Sequence, residues 1–536
     1  MKQKRILQNK KAYNFVLILI VILAVFIRVF RFGTVPGGFN QDGLMAAVDA
    51  KALADHGTDR FGMIYPVHFT AWGYGQMSVL MSYLMIPFIK TFGLSVVTAR
   101  LPSLLCSLAG LLFLYLFARK CFGEEESLVI LAFGAICPWQ IMQSRWALDC
   151  NLFPHFLMAG CYFLHRAAVD SVGKKSEYIS LALSMVLFGL SMYCYGISIY
   201  TVPLMLVLFC VVLVLKEKIG IGVVPFAVLV YLLVAWPFIA CMVINTFGLS
   251  PIETPFFTVP AFPNSVRSSD ILFFSENFAE TLKRNFSHAF NIIFQRSSDS
   301  IWNAIPQFGT LYKFSVVFII IGLVSLIANR KKYRGSEITG IFLAVALWEG
   351  LVTADVNINR FNIVFYPLII LAGLGIYEAI SRVRFLWIPV AALYALSFGL
   401  FSLGYFTNFA DEISTVFLED FGSAVSSLKG SDAEKIYITA DSQYPGSANV
   451  SEILTLYYLD IDSEYFCGKT GRNREAPPEI PYSSRFIYKR IGETDANSEG
   501  SCAYVVTNEE LAYFDQEAFN VEVHGRYYTL TPKAAP

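Results

Sequence analysis

Residues 15–27 read FVLILIVILAVFI, an uninterrupted apolar run that follows a basic segment at residues 2–11. The length of this run alone fits the core of a signal peptide. No small-residue cleavage site follows it, because the chain continues with Arg28-Val-Phe-Arg. We therefore interpret the run as an uncleaved first transmembrane span whose N-terminus lies in the cytoplasm.

The composition of the whole chain agrees with a membrane protein. Of its 536 residues, 55% are hydrophobic and only 15% are charged, and the mean hydropathy is +0.54. A soluble domain usually carries about 25% charged residues to keep its surface solvated. The 41 basic and 41 acidic residues cancel, so the net charge indicates no nucleic-acid partner. The sequence predicts an α-helical polytopic membrane protein.

Further apolar stretches follow the first one along the chain. A helix crosses a bilayer core of about 30 Å at about 1.5 Å per residue. By this measure we predict eleven spans in total, near residues 15–32, 96–118, 127–143, 153–168, 178–196, 198–215, 221–242, 314–329, 338–353, 361–380 and 385–406.

The loops between the spans carry the basic residues from which we predict the topology. The clusters at 119–120, 165–175, 216–218, 330–334 and 382–384 all fall on the side of the N-terminus. This asymmetry is typical of cytoplasmic loops. The predicted outer side then receives loops 33–95, 144–152, 243–313 and 354–360, and the tail. Residues 77–92 are apolar but short, and they predict an interfacial or re-entrant helix.

The tail, residues 407–536, differs in composition from residues 1–406. It holds 21 of the 41 acidic residues but only 10 of the 41 basic ones. Alternating stretches at 435–439, 485–488 and 503–506 predict strands, and 416–428 predicts a helix. We predict two domains, a transmembrane domain over 1–406 and a small extracytoplasmic α/β domain over 407–536. Cys467 and Cys502 lie in this polar part, and the sequence leaves open whether they form a disulfide.

The first outer loop carries a candidate catalytic carboxylate. Residues 37–57 read GGFNQDGLMAAVDAKALADHG, in which 44–56 have a helical composition and Gly57 can end the helix. Asp42 precedes this helix. It is either an N-cap that accepts backbone N–H bonds or a general base at the membrane boundary. No Walker A or GxGxxG loop is present, which disfavours nucleotide chemistry.

Three further motifs follow in order: ARLPS at 99–103, SRWALDCN at 144–151 and NINRFN at 357–362. Together with the early Asp42, this set resembles the GT-C membrane glycosyltransferases. These include the protein O-mannosyltransferases, the aminoarabinose transferases of lipid A and the oligosaccharyltransferase catalytic subunit. The resemblance covers the membrane part to about residue 406.

The chain departs from the family at two points. Gly43 stands where family members often have Glu after the Asp, and the second loop lacks a full Asp-Asn-Glu. We therefore predict no metal ligand, and the dependence on a divalent cation is left open.

The resemblance implies the substrates and the reaction. The donor would be a sugar on a polyprenyl phosphate, and the acceptor would be a protein, lipid or glycan hydroxyl at the outer face of the membrane. Asp42 would take the acceptor proton in an inverting transfer.

The resemblance also gives roles to other residues. Arg145 and Asp149 would pair with each other or orient Asp42. Four residues are candidates for the donor lipid phosphate, namely Arg360, Asn359, Arg267 and Arg296. Three are candidates for binding the sugar or the acceptor, namely Trp302, Asn303 and His68.

Two other functions remain as alternatives. A transporter or lipid flippase would place ionisable residues deep within the spans, whereas the predicted spans are nearly free of charge. A membrane polysaccharide polymerase or ligase would use the same loops and a lipid-linked donor, but it would extend its own product.

Overall fold

The structure is a computed structural model. It describes residues 10–72, 75–171, 173, 175–262, 277–297, 299–353, 355–467, 485–496, 498 and 501–533. Most of these residues are helical, and a small sheet lies in the C-terminal part.

Twenty α-helices make up the described part of the chain. The first ten are α1 Lys10–Val29, α2 Gln41–His56, α3 Leu80–Phe92, α4 Val96–Cys121, α5 Glu124–Ile136, α6 Pro138–Met142, α7 Phe153–His165, α8 Lys175–Ser191, α9 Ser198–Leu215 and α10 Val224–Phe247. The others are α11 Phe278–Ile293, α12 Ser315–Ala328, α13 Ser336–Val352, α14 Phe365–Arg382, α15 Trp387–Tyr405, α16 Asn408–Val416, α17 Glu419–Ser427, α18 Ala448–Tyr458, α19 Glu493–Ala496 and α20 Asn508–Leu511.

Nine strands form three sheets in the described residues. Two short hairpins pair β1 Phe69–Ala71 with β2 Gly75–Met77 and β3 Ile252–Glu253 with β4 Thr258–Val259. The third sheet has the order β6-β5-β7-β9-β8, in which β5 is parallel to both its neighbours and β9 is antiparallel to both of its own. Its strands are β5 Lys435–Thr439, β6 Phe486–Lys489, β7 Cys502–Thr507, β8 Phe519–His524 and β9 Tyr527–Pro532.

Ten of the eleven predicted spans each coincide with one helix, and the span predicted over 127–143 covers the bent pair α5 and α6. The count of eleven spans is not confirmed. Among the described residues, six helices are long and apolar enough to cross a membrane, or seven if a bent pair counts as one span. Several of the others are short; α7 has 13 residues and α12 has 14. A full crossing takes about 20 residues, so helix length alone leaves these spans as predictions. The helix predicted over 77–92 is observed as α3, which has 13 residues.

The bent pair leads directly into the second loop. The chain turns by 61° between Ile136 and Pro138, because proline has no N–H to continue the helical bonding. The buried Arg28 of α1 donates to the carbonyls of Ala135 at 3.0 Å and Gly134 at 3.3 Å. These bonds satisfy oxygens near the helix end and fix the end of α1 against the start of the second loop.

The C-terminal part contains the predicted strands, with one correction to the predicted helix. β5, β6 and β7 coincide with the three alternating stretches. The helix predicted over 416–428 is observed as α17, which starts three residues later than predicted because Leu418, with φ +57°, separates it from α16. A left-handed residue of this kind interrupts the helical hydrogen bonds. Cys467 and Cys502 are both buried, and no disulfide joins them in the described part of the chain.

This C-terminal part packs on the first outer loop. The N–H of Phe39 donates to Phe417 O at 2.7 Å, and that of Gly37 donates to Ser414 Oγ at 2.7 Å. The phenyl ring of Phe39 also meets Tyr457 edge-on, with centroids 4.9 Å apart. The segment that leads into α2 is therefore held by residues more than 370 positions further along the chain.

Candidate active site

The N-terminal turn of α2 presents Asp42. Asn40 caps this helix, since its Oδ1 accepts the N–H of Asp42 at 3.1 Å and of Gly43 at 3.4 Å. The N-cap interpretation of Asp42 is therefore wrong, and its half-buried carboxylate is left for other contacts. Trp72 donates its indole N–H to Asp42 Oδ1 at 2.8 Å. The predicted end of the helix at Gly57 is confirmed, with φ +71°.

Gly43 brings the start of α2 against the second loop. A Cβ at this position would lie 2.0 Å from the carbonyl oxygen of Ala147. Only glycine allows this approach without a shift of the backbone. The family's usual Glu would not fit here, so the missing second carboxylate follows from close packing between the two loops.

We expect Gly43→Ala to lower the thermal unfolding midpoint of the detergent-solubilised protein. Overpacking of this kind costs about 1–3 kcal/mol, which exceeds the gain of about 1 kcal/mol in helix propensity. Gly340→Ala in α13 is the matched control, because no heavy atom lies within 4 Å of its added Cβ. Equal midpoints for the two variants would contradict the close approach.

Arg145 in the second loop is a structural residue. It is fully buried, and its guanidinium donates to five carbonyls at the end of α1 and just beyond it, at 2.7 to 3.2 Å, namely those of Ile27, Arg28, Phe30, Arg31 and Val35. These bonds use all three guanidinium nitrogens. The predicted pairing of Arg145 with Asp149 is therefore wrong for the described structure, because helix-end carbonyls are the partners of Arg145.

Arg100 of the ARLPS motif supports the same region. Its guanidinium donates to the carbonyls of Pro36 at 2.7 Å and Gly38 at 2.6 Å, and it lies 5.6 Å from the ring centroid of Phe39. Two buried arginines thus hold the short connection between α1 and α2. Both act on the position of Asp42 through the backbone.

The turn before α14 carries Arg360 and is tied to the second loop. The N–H of Arg360 donates to Asn357 Oδ1 at 2.9 Å, and Ile358 N–H donates to Asp299 Oδ2 at 3.2 Å. Burial raises the pKa of Asp299 above its usual value. Asn362 Nδ2 then donates to Cys150 O at 2.7 Å. This last bond joins the NINRFN motif to the SRWALDCN motif.

One cavity contains three of the predicted site residues. Its volume is about 120 Å³, and its wall includes Asp149, Arg360 and His68, together with residues at the ends of α9, α10 and α13. Asp149 is nearly buried, and its Oδ1 accepts the N–H of Cys150 at 2.7 Å. An acidic group and a guanidinium thus share a small, partly enclosed space.

Asp42 lies outside the wall of this cavity but close to it. Burial raises the pKa of the Cys150 thiol, and the negative charges of Asp149 and Asp42 raise this pKa further. Both carboxylates are therefore near enough to Cys150 for their charges to act on it.

Trp302 and Asn303 lie beside the site, outside the cavity wall. The Trp302 ring packs with Trp146 at 6.1 Å and with Phe417 at 6.0 Å between centroids. Asn303 donates its amide to the side chain of Asn359. The cluster joins the second loop, the large outer loop and the C-terminal part, and the amide pair connects the large loop to the Arg360 turn.

The remaining candidates differ in their placement. His68 is buried, and its ring meets Phe238 and Phe262 edge-on at 5.7 and 6.0 Å. Arg296 is exposed and lies over the ring of Phe290 at 5.9 Å, so the structure does not bring it to the cavity. Arg267 lies outside the described residues.

Sequence reasoning missed several residues that build the site. Asn40 and Asn362 stood in the quoted motifs, where an Asn before a helix is a recognisable cap signal. For Trp72, the only sequence feature that points to the site is its position in the first outer loop. Phe417 has none, because its contacts are to loops far away in the sequence.

The described side chains form no recognisable metal site. Within the ranges that the structure covers, no group of three or more His, Cys, Asp or Glu residues is arranged to hold a metal ion.

The fold is similar to crystal structures of ArnT from Cupriavidus metallidurans. The apo structure matches with a TM-score of 0.57 and 14% identity over 98% of this chain and 100% of that one. The structure with undecaprenyl phosphate bound matches with a TM-score of 0.57 and 14% identity over 97% and 98%. The chain therefore has an ArnT-like fold.

Sequence comparison adds to this likeness. The profile of the family described as dolichyl-phosphate-mannose-protein mannosyltransferase matches residues 77–243. A comparison with curated proteins finds no match. The resemblance to the GT-C superfamily predicted from the sequence is confirmed, and the profile and fold together support a membrane glycosyltransferase.

Within this fold, the matched profile runs from the end of β2 into α10. It therefore includes the whole second loop with Asp149, and the α9 and α10 residues of the cavity wall. Asp42 and Arg360 lie on either side of it in the sequence, and the close packing described above brings them to the second loop.

Proposed function

We propose that the chain transfers a sugar, with inversion, from a polyprenyl-phosphate-linked donor to an acceptor hydroxyl at the outer face of the membrane. The observation that carries this proposal is the gathering of Asp42, Asp149 and Arg360 around the second loop. The ArnT structure with undecaprenyl phosphate supports a lipid phosphate as part of the donor. The family description supports a sugar as the transferred group.

Asp42 is the proposed general base. The acceptor oxygen attacks the anomeric carbon, the bond from that carbon to the phosphate oxygen breaks, and Asp42 receives the hydroxyl proton. The indole N–H of Trp72 donates to one carboxylate oxygen of Asp42 and orients the group.

Arg360 is the proposed ligand of the departing phosphate. A guanidinium binds a phosphate through two parallel N–H···O bonds and stabilises the charge that develops there. Arg360 is half-buried in the cavity wall, where its charge acts more strongly than in water. Asn359 helps to hold this turn through Asn303.

An apolar groove between α9 and α10 is the proposed binding site for the lipid part of the donor. The groove has a volume of about 330 Å³. Its walls include α9 from Pro203 to Val214 and α10 from Val224 to Leu232. The cavity wall uses neighbouring parts of the same helices, at Tyr200 before Pro203 in α9 and at Phe238 after Leu232 in α10. A polyprenyl chain whose phosphate meets Arg360 would follow these helices into the groove.

Transfer by the purified protein in proteoliposomes tests this proposal. The assay supplies polyprenyl-phosphate sugars with radiolabelled sugar and, in separate arms, protein, lipid or glycan acceptors. Release of lipid phosphate with label on one acceptor class would support the proposal and name that class. A ladder of growing products would favour the polymerase alternative, and no transfer in any arm would contradict the proposal.

The outer-face location is tested by reporter fusions. With the topology proposed here, a reporter after Pro536 should report the extracytoplasmic side. One placed in 330–336, between α12 and α13, should report the cytoplasm, because the basic residues there stay inside. The opposite result at either position would contradict the topology and place the site on the other side of the membrane.

A further inference from the structure

The amphipathic helix α11 lies in the large loop and has one face on the protein. Its four buried residues, Thr281, Asn285, Ala289 and Ile292, recur every three or four positions. This spacing puts them on one face of a helix. Phe286 and Phe290, one turn apart, remain 60% and 36% exposed. The helix therefore leaves part of its apolar surface uncovered.

The contacts of α11 place it level with the end of α13 nearest the cavity. Asn285 Nδ2 donates to Leu351 O at 2.8 Å, and Arg284 pairs with Asp355 at 3.2 Å. The ring of His288 lies 3.2 Å from Val356 O. Because Val352 ends α13, α11 sits where this predicted span leaves the bilayer.

The uncovered surface combines aromatic rings with basic groups. Phe286 and Phe290 are 6.2 Å apart and Phe290 and Phe294 are 4.1 Å apart between ring centroids, both stacked. Arg296 lies 5.9 Å from the Phe290 ring, and Lys283 is exposed on the same helix. An apolar strip bordered by cations is typical of helices that lie in the interface of a membrane.

We propose that α11 is an interfacial helix that inserts Phe286 and Phe290 into the leaflet on the site's side, with Lys283 and Arg296 binding anionic phospholipid headgroups. A lipid surface fits better than a protein partner for two reasons. The helix is level with the end of a span, and its exposed rings lie next to positive charge. Burial of the rings between headgroups and acyl chains removes them from water, and the cations meet phosphate oxygens.

This contact would also set the depth of the donor site, an extension that rests on the proposed function. Through Arg284, Asn285 and His288, α11 contacts Asp355, Leu351 and Val356, which precede the Arg360 turn in the sequence. A helix anchored at headgroup level would keep Arg360 at the level of a lipid phosphate. Anionic lipid would then act on transfer through the position of α11.

Insertion is tested without any assay of transfer. The full-length Phe286→Trp variant is reconstituted in phosphatidylcholine vesicles that contain brominated acyl chains, and its fluorescence is compared with that of the unsubstituted protein. The matched control is Glu280→Trp, about 120° around the helix from Phe286 at 3.6 residues per turn. We expect the added tryptophan to be quenched at least twofold more at 286 than at 280.

Equal and weak quenching at both positions would overturn the insertion. Weak quenching together with particles of twice the protomer mass would assign the surface to a second copy of the chain and would also overturn it. A Trp variant that fails to fold is replaced by Phe290→Trp, which tests the same strip.

The anionic preference is tested by hydrogen exchange of α11 in nanodiscs. We expect exchange over 278–293 to be severalfold slower in phosphatidylglycerol than in phosphatidylcholine. The double variant Lys283→Gln/Arg296→Gln should lose this difference and keep the phosphatidylcholine rate. Equal exchange of the unsubstituted protein in the two lipids would overturn the headgroup assignment. Neither measurement needs a sugar donor, so a failure of the proposed function would leave both readouts intact.

Discussion

Asp42→Asn is expected to reduce sugar transfer by about 10²- to 10⁴-fold, the usual contribution of a positioned general base. The substitution keeps an oxygen that can accept the indole N–H of Trp72, and the backbone bonds to Asn40 do not involve the side chain of residue 42. It removes only the ability to take a proton. Single-turnover transfer with the lipid-linked donor in excess measures the effect.

Asp55→Asn in the same helix is the matched control for this substitution. Asp55 is 39% exposed and pairs with Lys51 at 3.1 Å, one helical turn away. An exposed pair of this kind contributes little to stability, so we expect near-normal transfer. Comparable thermal midpoints for the two variants would show that the loss at Asp42 is chemical. Near-normal transfer by Asp42→Asn would remove Asp42 as the base and leave Asp149, in the cavity wall, as the next carboxylate to test.

The parts of the fold predicted from the sequence are those with local signals. The composition of 44–56 and Gly57 located α2 because helix-forming residues and a left-handed end act within a few positions. Period-two alternation located β5 and β7 for the same reason. The break at Leu418 was missed because a left-handed leucine carries no local signal, and the packing around it decides its conformation.

The site was predicted less completely, because its geometry depends on contacts distant in sequence. The motif order identified Asp149 and Arg360, which do share a cavity. It could not assign Arg145, since a buried guanidinium is satisfied by carbonyls as well as by a carboxylate. It also could not place Trp302, whose cluster is completed by Phe417 from the C-terminal part. A single sequence carries no information about which loops meet.

Arg360→Lys is expected to reduce the rate of transfer by about 100- to 1000-fold, the usual loss when one charge-stabilising contact is removed from a transition state. Lysine keeps the charge but replaces a planar fork of donors by a single ammonium group, so it cannot make two parallel bonds to a phosphate. The effect should fall on the rate constant of a single turnover more than on donor affinity, because charge on the phosphate grows as the glycosidic bond breaks.

Arg119→Lys tests whether any arginine in this protein would respond in the same way. Arg119 lies in the last turn of α4 next to Lys120, and its guanidinium forms an exposed ion pair with Glu124 at 2.9 Å. Lysine can replace it there, because a surface pair needs only a positive charge on a flexible stem. A large loss for Arg360→Lys with none for Arg119→Lys would support bidentate phosphate binding. If Arg360→Lys also transferred at a near-normal rate, Arg360 would be an interfacial anchor. The leaving phosphate would then need another cation, and Arg267, outside the described residues, would be the next position to substitute.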